Sequence, residues 1–235
     1  MPRLRGATPS PRHRLAGACP HVATLPTPPQ FLWLPKQISM WANDVDGDCV
    51  TAEEAFAKAC HAPELFVPDA TVVAWATANS VLNGAELTQV LDLMQTGGFS
   101  INASRLNDGP FASVDWTNAP LLQNAISQGP VKIGIAADQL DNAVPDPPTN
   151  GWVATGFTQD SNEDHCVSLC GYGPISWLAP QLGAIIPEGM LGTTPVYAMF
   201  TWNSIGIIDV PSLLAICAEA WLRNPTTVIA STTAQ

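Results

Sequence analysis

The chain changes its hydrophobic period once, at Gly129-Pro130, and that change limits the folds open to it. Before it, apolar residues recur at the three- and four-residue spacing of one helix face. Ala52, Ala55, Phe56 and Ala59 give this pattern over Val50–His61. Leu87, Val90, Leu91 and Met94 give it over Gly84–Thr96, and Gly97-Gly98 stops that helix. Asp69 opens a helix over Ala70–Asn79, and Asn118–Gln128 reads as another. Phe99–Leu106 alternates loosely and predicts a strand. After the break the period is two. Val131–Ala136, His165–Tyr172 and Tyr197–Trp202 read as strands, and Thr226–Ile229 as a last one. Asp138–Asn162 is a polar, proline-rich excursion, and Val210–Leu222 reads as a helix opening on an early proline. Helices first and strands second predict an α+β fold of two lobes, helical over about 40–128 and β-rich over about 129–235.

Residues 1–30 stand apart. Seven prolines fall in the first 29 positions, which excludes a helix interior or a central strand. The stretch reads as a flexible arm, extended near Pro26–Pro29. A segment removed on maturation is the alternative reading.

Composition sets the remaining bounds. Apolar residues make up 46% of the chain and charged residues 12%, which supplies a core and excludes a mainly disordered chain. The formal net charge is −11, and it is unevenly placed. Four of the nine basic residues (Arg3, Arg5, Arg12, Arg14) precede residue 15, and the first acid is Asp44. An acidic body excludes nucleic acid or an anionic membrane as the main partner, because both require dense positive charge. The most apolar stretch, Leu169–Leu191, is broken by Pro174, Pro180 and Pro187, so no membrane-spanning helix is expected. No apolar block follows the early arginines, so no secretory signal is read. The expectation is a soluble protein, cytoplasmic or phage-associated. Six cysteines in this length read as buried free thiols rather than a disulfide framework.

Cys49 has the context of a nucleophile. It follows the polar loop Asn43-Asp44-Val45-Asp46-Gly47-Asp48 and begins a helix. Backbone N–H groups and the helix dipole at such a place favour thiolate. A base is then needed, and His165, mid-strand after Asp164, is the candidate. A third polar group must orient the imidazole, and Asn203, after the strand Tyr197–Trp202, is the natural choice. Other chemistries fit less well. Read as an EF-hand, the acidic loop would put Ala42 at the first ligand position, and Ala42 cannot coordinate. No zinc spacing, P-loop or dinucleotide fingerprint occurs, so neither a metal nor a cofactor is expected.

The order Cys, His, Asn resembles that of the papain-like cysteine peptidases. Asp164-His165-Cys166-Val167-Ser168-Leu169-Cys170-Gly171-Tyr172-Gly173-Pro174 is similar to the family's histidine strand. Gly129-Pro130-Val131-Lys132-Ile133-Gly134-Ile135-Ala136-Ala137 resembles its Gly-Pro-Val strand, and Tyr197–Gly206 resembles the strand that ends in Asn-Ser-Trp-Gly. Gly47-Asp48-Cys49 stands where the loop before the nucleophile belongs. The resemblance covers roughly residues 40–210. The chain departs from the family at Asp46 and Val50, where a cysteine and an aromatic residue are usual, and at Ile205, where a Trp normally shields the Asn–His pair. These departures imply a distant branch.

The resemblance implies a two-lobed papain-like fold and a peptidase acting through a thioacyl intermediate on a peptide or protein substrate. Cys49, His165 and Asn203 would be the catalytic set, and Asn43, six residues before the cysteine, would line the oxyanion hole. The same machinery serves an acyl-transferring enzyme, and a non-catalytic papain-like binding or structural module is the remaining alternative. Asp44, Asp46 and Asp48 beside the cysteine, with Glu163 and Asp164 beside the histidine, predict a negative cleft that prefers neutral or basic substrates.

Overall fold

The computed structural model describes residues 3–223 and 227–230. Within the arm lie β1 (Ala7–Thr8), α1 (Arg12–Ala16) and β2 (Phe31–Leu32). The helical lobe is built from α2 (Cys49–Ala59), α3 (Asp69–Ala78), β3 (Ala85–Glu86), α4 (Leu87–Gly97), β4 (Phe99–Ile101) and β5 (Ser104–Asn107). After β6 (Phe111–Ser113) and α5 (Ala119–Gln128) comes the β-rich lobe: β7 (Val131–Ile135), α6 (Asp138–Ala143), β8 (Val153–Ala154), β9 (His165–Pro174), α7 (Ile175–Leu182), β10 (Pro195–Thr201), β11 (Ser204–Asp209), α8 (Val210–Ile216), β12 (Cys217–Arg223) and β13 (Thr227–Ala230). The result is the two-lobed α+β fold that the change of period predicts.

One sheet organises the molecule. Its strands run β6-β12-β7-β9-β10-β11-β8, with β2 added beside β9. The pleat of β9, with its register shift against β10 between Ala198 and Met199, sorts its side chains between two cores. Cys166 and Cys170 face the core that holds α2, α3 and α4, and Val167, Leu169 and Tyr172 face the core under α5 and α8. Phe56 of α2 stacks on Phe200 of β10 with centroids 4.0 Å apart, which pins the helix that carries Cys49 to the strand that approaches His165. Among the described residues no helix is long and apolar enough to cross a membrane.

The structure redraws three local expectations. The strand expected over Phe99–Leu106 is a hairpin, since Asn102 (φ 47°) and Ala103 (φ 60°) turn the chain between β4 and β5. The helix expected over Val210–Leu222 stops at Ile216, and the rest is β12. Ala and Leu favour a helix locally, but Cys217, Glu219, Trp221 and Arg223 alternate with Ala218, Ala220 and Leu222, and pairing with β7 and β6 decides the outcome. Of the strand expected over Thr226–Ile229, the described part lies in β13, and residue 226 lies outside the described residues.

Residues 3–34 are anchored to the body at several points, although Val22, Leu25 and Leu34 are exposed. β1 pairs in parallel with β3, β2 pairs with β9, and Tyr172 donates its hydroxyl hydrogen to the Pro28 carbonyl. The prolines forbid a helix interior but not an extended segment laid on a surface. The early arginines supply what the acidic body lacks: Arg14 pairs with Asp92, and Arg5 with Asp138, Asp141 and Asp164.

A buried cluster of charges underlies α2. Glu53 and Glu54 are buried and face cations rather than solvent. Lys132 Nζ lies 2.9 Å from Glu53 and 2.6 Å from Glu54, and Arg223 reaches both. Lys58 pairs with Asp108 beside them. Burial alone would raise Glu54, but Arg223, Lys132 and Lys58 hold it well below the usual carboxylate range.

Candidate active site

Cys49 is the first residue of α2, after Asp48 at the N-cap, and it is 2% exposed. His165 is the first residue of β9 and is 1% exposed. The two side chains line one small cavity with Met40, Asn43, Thr201 and Trp202. Packing of α2 against β9 and β10 thus brings the expected nucleophile and base together from positions far apart in sequence.

Asn203 is not with them. β10 and β11 are joined by a two-residue turn, Trp202 (φ 41°) and Asn203 (φ 55°), with Thr201 opposite Ser204. Such a turn needs left-handed backbone at both central positions, which Asn tolerates well. It leaves Asn203 exposed at the tip and puts Thr201 at the strand's inner end. Thr201 Oγ1 lies 2.9 Å from His165 Nε2, and it is Thr201 that holds the imidazole. Trp202 stacks on the same ring, with centroids 4.4 Å apart and planes 17° apart. The aromatic cover that seemed lost at Ile205 is therefore supplied three residues earlier, and Ile205 is a fully buried core residue. The signal was present in the sequence: the β-rich run Ser204–Asp209 follows Trp202-Asn203 directly, as in a tight hairpin.

Asn43 lies in the cleft, and its amide has partners. Its Nδ2 donates to the carbonyls of Leu4 at 3.1 Å and Asp46 at 3.3 Å. Leu4 returns its own N–H to the Asn43 carbonyl at 3.1 Å. The arm then continues across the site. A Cβ on Gly6 would collide with the Gly47 carbonyl, so only glycine allows the arm this close to the cysteine loop. The Gly6 carbonyl accepts the Ala85 N–H at 2.8 Å, Ala7 donates to the Asp164 carbonyl at 3.1 Å, and the Ser10 N–H donates to Glu219 Oε1 at 3.0 Å. The Arg3 guanidinium lies over the Trp202 ring at 5.3 Å. Arg5 Nη1 lies 2.6 Å from Asp164, the neighbour of the histidine.

With the arm in place the pair is neutral. Burial pushes the Cys49 thiol up to about 11, Asp48 adds to the rise, and the backbone N–H groups of Cys166 and Gly6 and the Lys132 charge oppose it. Burial, with the Arg5 charge added, pushes His165 down to about 3. Its Nδ1 has no hydrogen-bond partner. Burial, with Asp46 nearby, raises Asp48 to about 8, so this acid is mostly protonated at neutral pH and opposes a thiolate less than its formal charge implies.

Solved structures share this architecture. No known family profile and no curated protein sequence matches the chain. The Amb a 11 cysteine protease, a major ragweed pollen allergen, in its proform is 14% identical with a TM-score of 0.64, over 91% of this chain and 73% of that one. Xylellain, a cysteine protease from Xylella fastidiosa, is 10% identical with a TM-score of 0.60, over 94% and 95%. Digestive procathepsin L 3 of the Tenebrio molitor larval midgut is 12% identical with a TM-score of 0.60, over 88% and 73%. At these identities the likeness speaks for the fold, and the fold is that of the papain-like cysteine proteases.

Proposed function

We propose that this chain is a papain-like thiol hydrolase that cleaves peptide bonds and that its arm holds it latent. The observation that carries the reading is the shared cavity of Cys49, at a helix N-terminus, and His165, at the start of the facing strand. His165 Nδ1 takes the thiol proton, and the Sγ thiolate attacks the scissile carbonyl. The Thr201 hydroxyl keeps the proton on Nε2, which leaves Nδ1 free to act as the base. The Asn43 amide and the Cys49 N–H stabilise the oxyanion. What supports this role for Asn43 is that it already donates to a peptide carbonyl, that of Leu4. The protonated imidazole then gives its proton to the leaving amine, and water hydrolyses the thioacyl enzyme.

Latency follows from the occupied cleft and the neutral pair. When the arm leaves, water returns to the site and the Arg5 charge departs, and both changes favour the thiolate–imidazolium pair. The test uses the full chain, native and carrying Arg5→Ala, on a mixed peptide panel. Arg5→Ala gives hydrolysis that Cys49→Ala abolishes. If the Arg5→Ala protein cleaves nothing, and its Cys49 reacts with iodoacetamide no faster than Cys60 or Cys217, the non-catalytic module is the correct reading. Conjugates formed when an amine acceptor is supplied would instead indicate acyl transfer.

A further inference from the structure

Cys166, Gly134 and Glu219 form one cross-strand row, since Gly134 of β7 pairs with Cys166 of β9 on one side and with Glu219 of β12 on the other. Two strand spacings, about 10 Å, therefore separate Glu219 from Cys166, which lines the cavity of Cys49. Glu163, just before β9, reaches into the middle of that row. A Cβ on Gly134 would collide with Glu163 Oε1 and stand 3.1 Å from Glu219 Cγ, so the missing side chain of Gly134 makes room for the two carboxyls. Both glutamates are more than nine-tenths buried, and Glu163 Oε1 has no hydrogen-bond partner. Among the described residues, no Lys, Arg or His pairs with either. The other acidic clusters of the fold differ: Glu53 and Glu54 have Lys132 and Arg223, and Asp138, Asp141 and Asp164 have Arg5.

The arm that crosses the Cys49 cavity continues over this place. Ser10 lies over the pair, its N–H donating to Glu219 Oε1 at 3.0 Å and its Oγ accepting the Thr88 N–H at 3.3 Å. Serine is short and neutral and brings no cation; Glu219 Oε2 accepts the Trp221 Nε1–H, so the pair has neutral donors but, among the described residues, no positive partner. Burial and the neighbouring Glu219 push Glu163 up to about 9, and at neutral pH a proton is held between the two carboxyls.

We infer that Glu163 and Glu219 form a receptor for a cationic side chain, Lys or Arg, carried by the substrate two to three residues from the bond that Cys49 attacks. The inference rests on reading Cys49 as the nucleophile of a peptide hydrolase and names the substrate that hydrolase selects. The cation takes the place of the shared proton, which is released to solvent, and pairs with both carboxylates out of water, where such a pair is strongest. A neutral side chain there leaves the acids as they are, and an acidic one adds a third like charge.

The first measurement needs no turnover. The full chain is made with Ser10→Arg, in the native background and with Glu163→Gln and Glu219→Gln together. Ser10→Arg raises the thermal midpoint by about 2–4 °C or more in the native background, and the gain vanishes with the two glutamines. A gain that persists with the glutamines overturns the inference. If Ser10→Arg lowers the midpoint in both backgrounds, the arginine has not seated, and a second measurement decides. Peptidyl chloromethyl ketones with Arg, Leu or Glu at the second or third residue from the reactive carbon are reacted with the Arg5→Ala full chain, and Cys49 labelling is followed by intact mass. The Arg probes label at least tenfold faster than the Leu probes, the Glu probes are slowest, and the two glutamine substitutions remove the preference. Equal rates for Arg and Leu, or no Cys49 labelling by any probe once the arginine has failed to seat, overturn the inference. A thermal gain with no Cys49 labelling upholds the acidic receptor and counts only against the nucleophile.

Discussion

The Thr201 hydroxyl lies 2.9 Å from His165 Nε2, while Asn203, two residues later, faces solvent at a hairpin tip. In the proposed mechanism this contact gives Thr201, not Asn203, the orienting role. Loss of a hydrogen bond to a buried partner costs about 1–3 kcal/mol, or roughly 5- to 150-fold in rate if the imidazole must hold its orientation for reaction. Thr201→Val in the Arg5→Ala background therefore lowers kcat by a factor in that range, with KM little changed. Asn203→Ala changes it less than about twofold, as expected of an exposed turn residue. Steady-state rates on one peptide substrate separate the two, and a larger loss from Asn203→Ala would return the role to the asparagine.

The order of helices before strands and the helix start at Cys49 were legible, because both are local properties of the chain. Thr201 was harder to see, since the turn that selects it depends on the left-handed conformation of two non-glycine residues, Trp202 and Asn203. The strand β12 was misread for a similar reason: Ala218, Ala220 and Leu222 carry helix propensity, and only pairing with β7 and β6 overrides it. The seating of the arm was hidden most deeply. Arg5 meets Asp138, Asp141 and Asp164, all remote in sequence, so nothing within residues 1–30 announces the contact.

In the proposed function the docked arm sets how Cys49 reacts. Burial holds the thiol near 11, so iodoacetamide labelling of Cys49 in the native chain stays slow at pH 7–8 and rises only as pH approaches about 11. Arg5→Ala removes the ion pairs to Asp138, Asp141 and Asp164 and loosens the arm. Its Cys49 then labels at least tenfold faster at pH 7.5, while the exposed Cys19 labels alike in both proteins. Mass spectrometry of the labelled peptides reads each site. An unchanged Cys49 rate would mean that the arm does not control access.

The charged cluster beneath α2 is sensitive to the removal of a single member. Lys132→Met leaves Glu53 and Glu54 buried with less positive charge than they need, and such an uncompensated charge costs about 3–5 kcal/mol. Adding Glu53→Gln to Lys132→Met restores part of the loss, because Arg223 and Lys58 then balance Glu54 and Asp108. Urea unfolding of the single and double variants checks the sign. A double variant less stable than Lys132→Met alone would show that the cluster acts through its hydrogen bonds rather than its charge.

The Glu163–Glu219 pair makes stability depend on pH in a direction that can be worked out. Burial and Glu219 raise Glu163 from its ordinary value to about 9, so the folded chain holds a proton that the unfolded chain gives up above about 4.5. Its contribution is therefore full in acid and is lost as pH rises towards 9. Asp48, raised to about 8, acts in the same sense, whereas His165, lowered to about 3, costs stability only as pH falls below about 6.5. Between pH 6.5 and 9 the first two act together and the histidine is silent, so the thermal midpoint falls across this window. Glu163→Gln keeps a hydrogen-bond donor for Glu219 at every pH and removes the titration. The variant loses less of its midpoint between pH 6.5 and 9 than the native chain, measured by calorimetry at constant ionic strength. Parallel pH curves for the two proteins would show that Glu163 holds no extra proton in the fold.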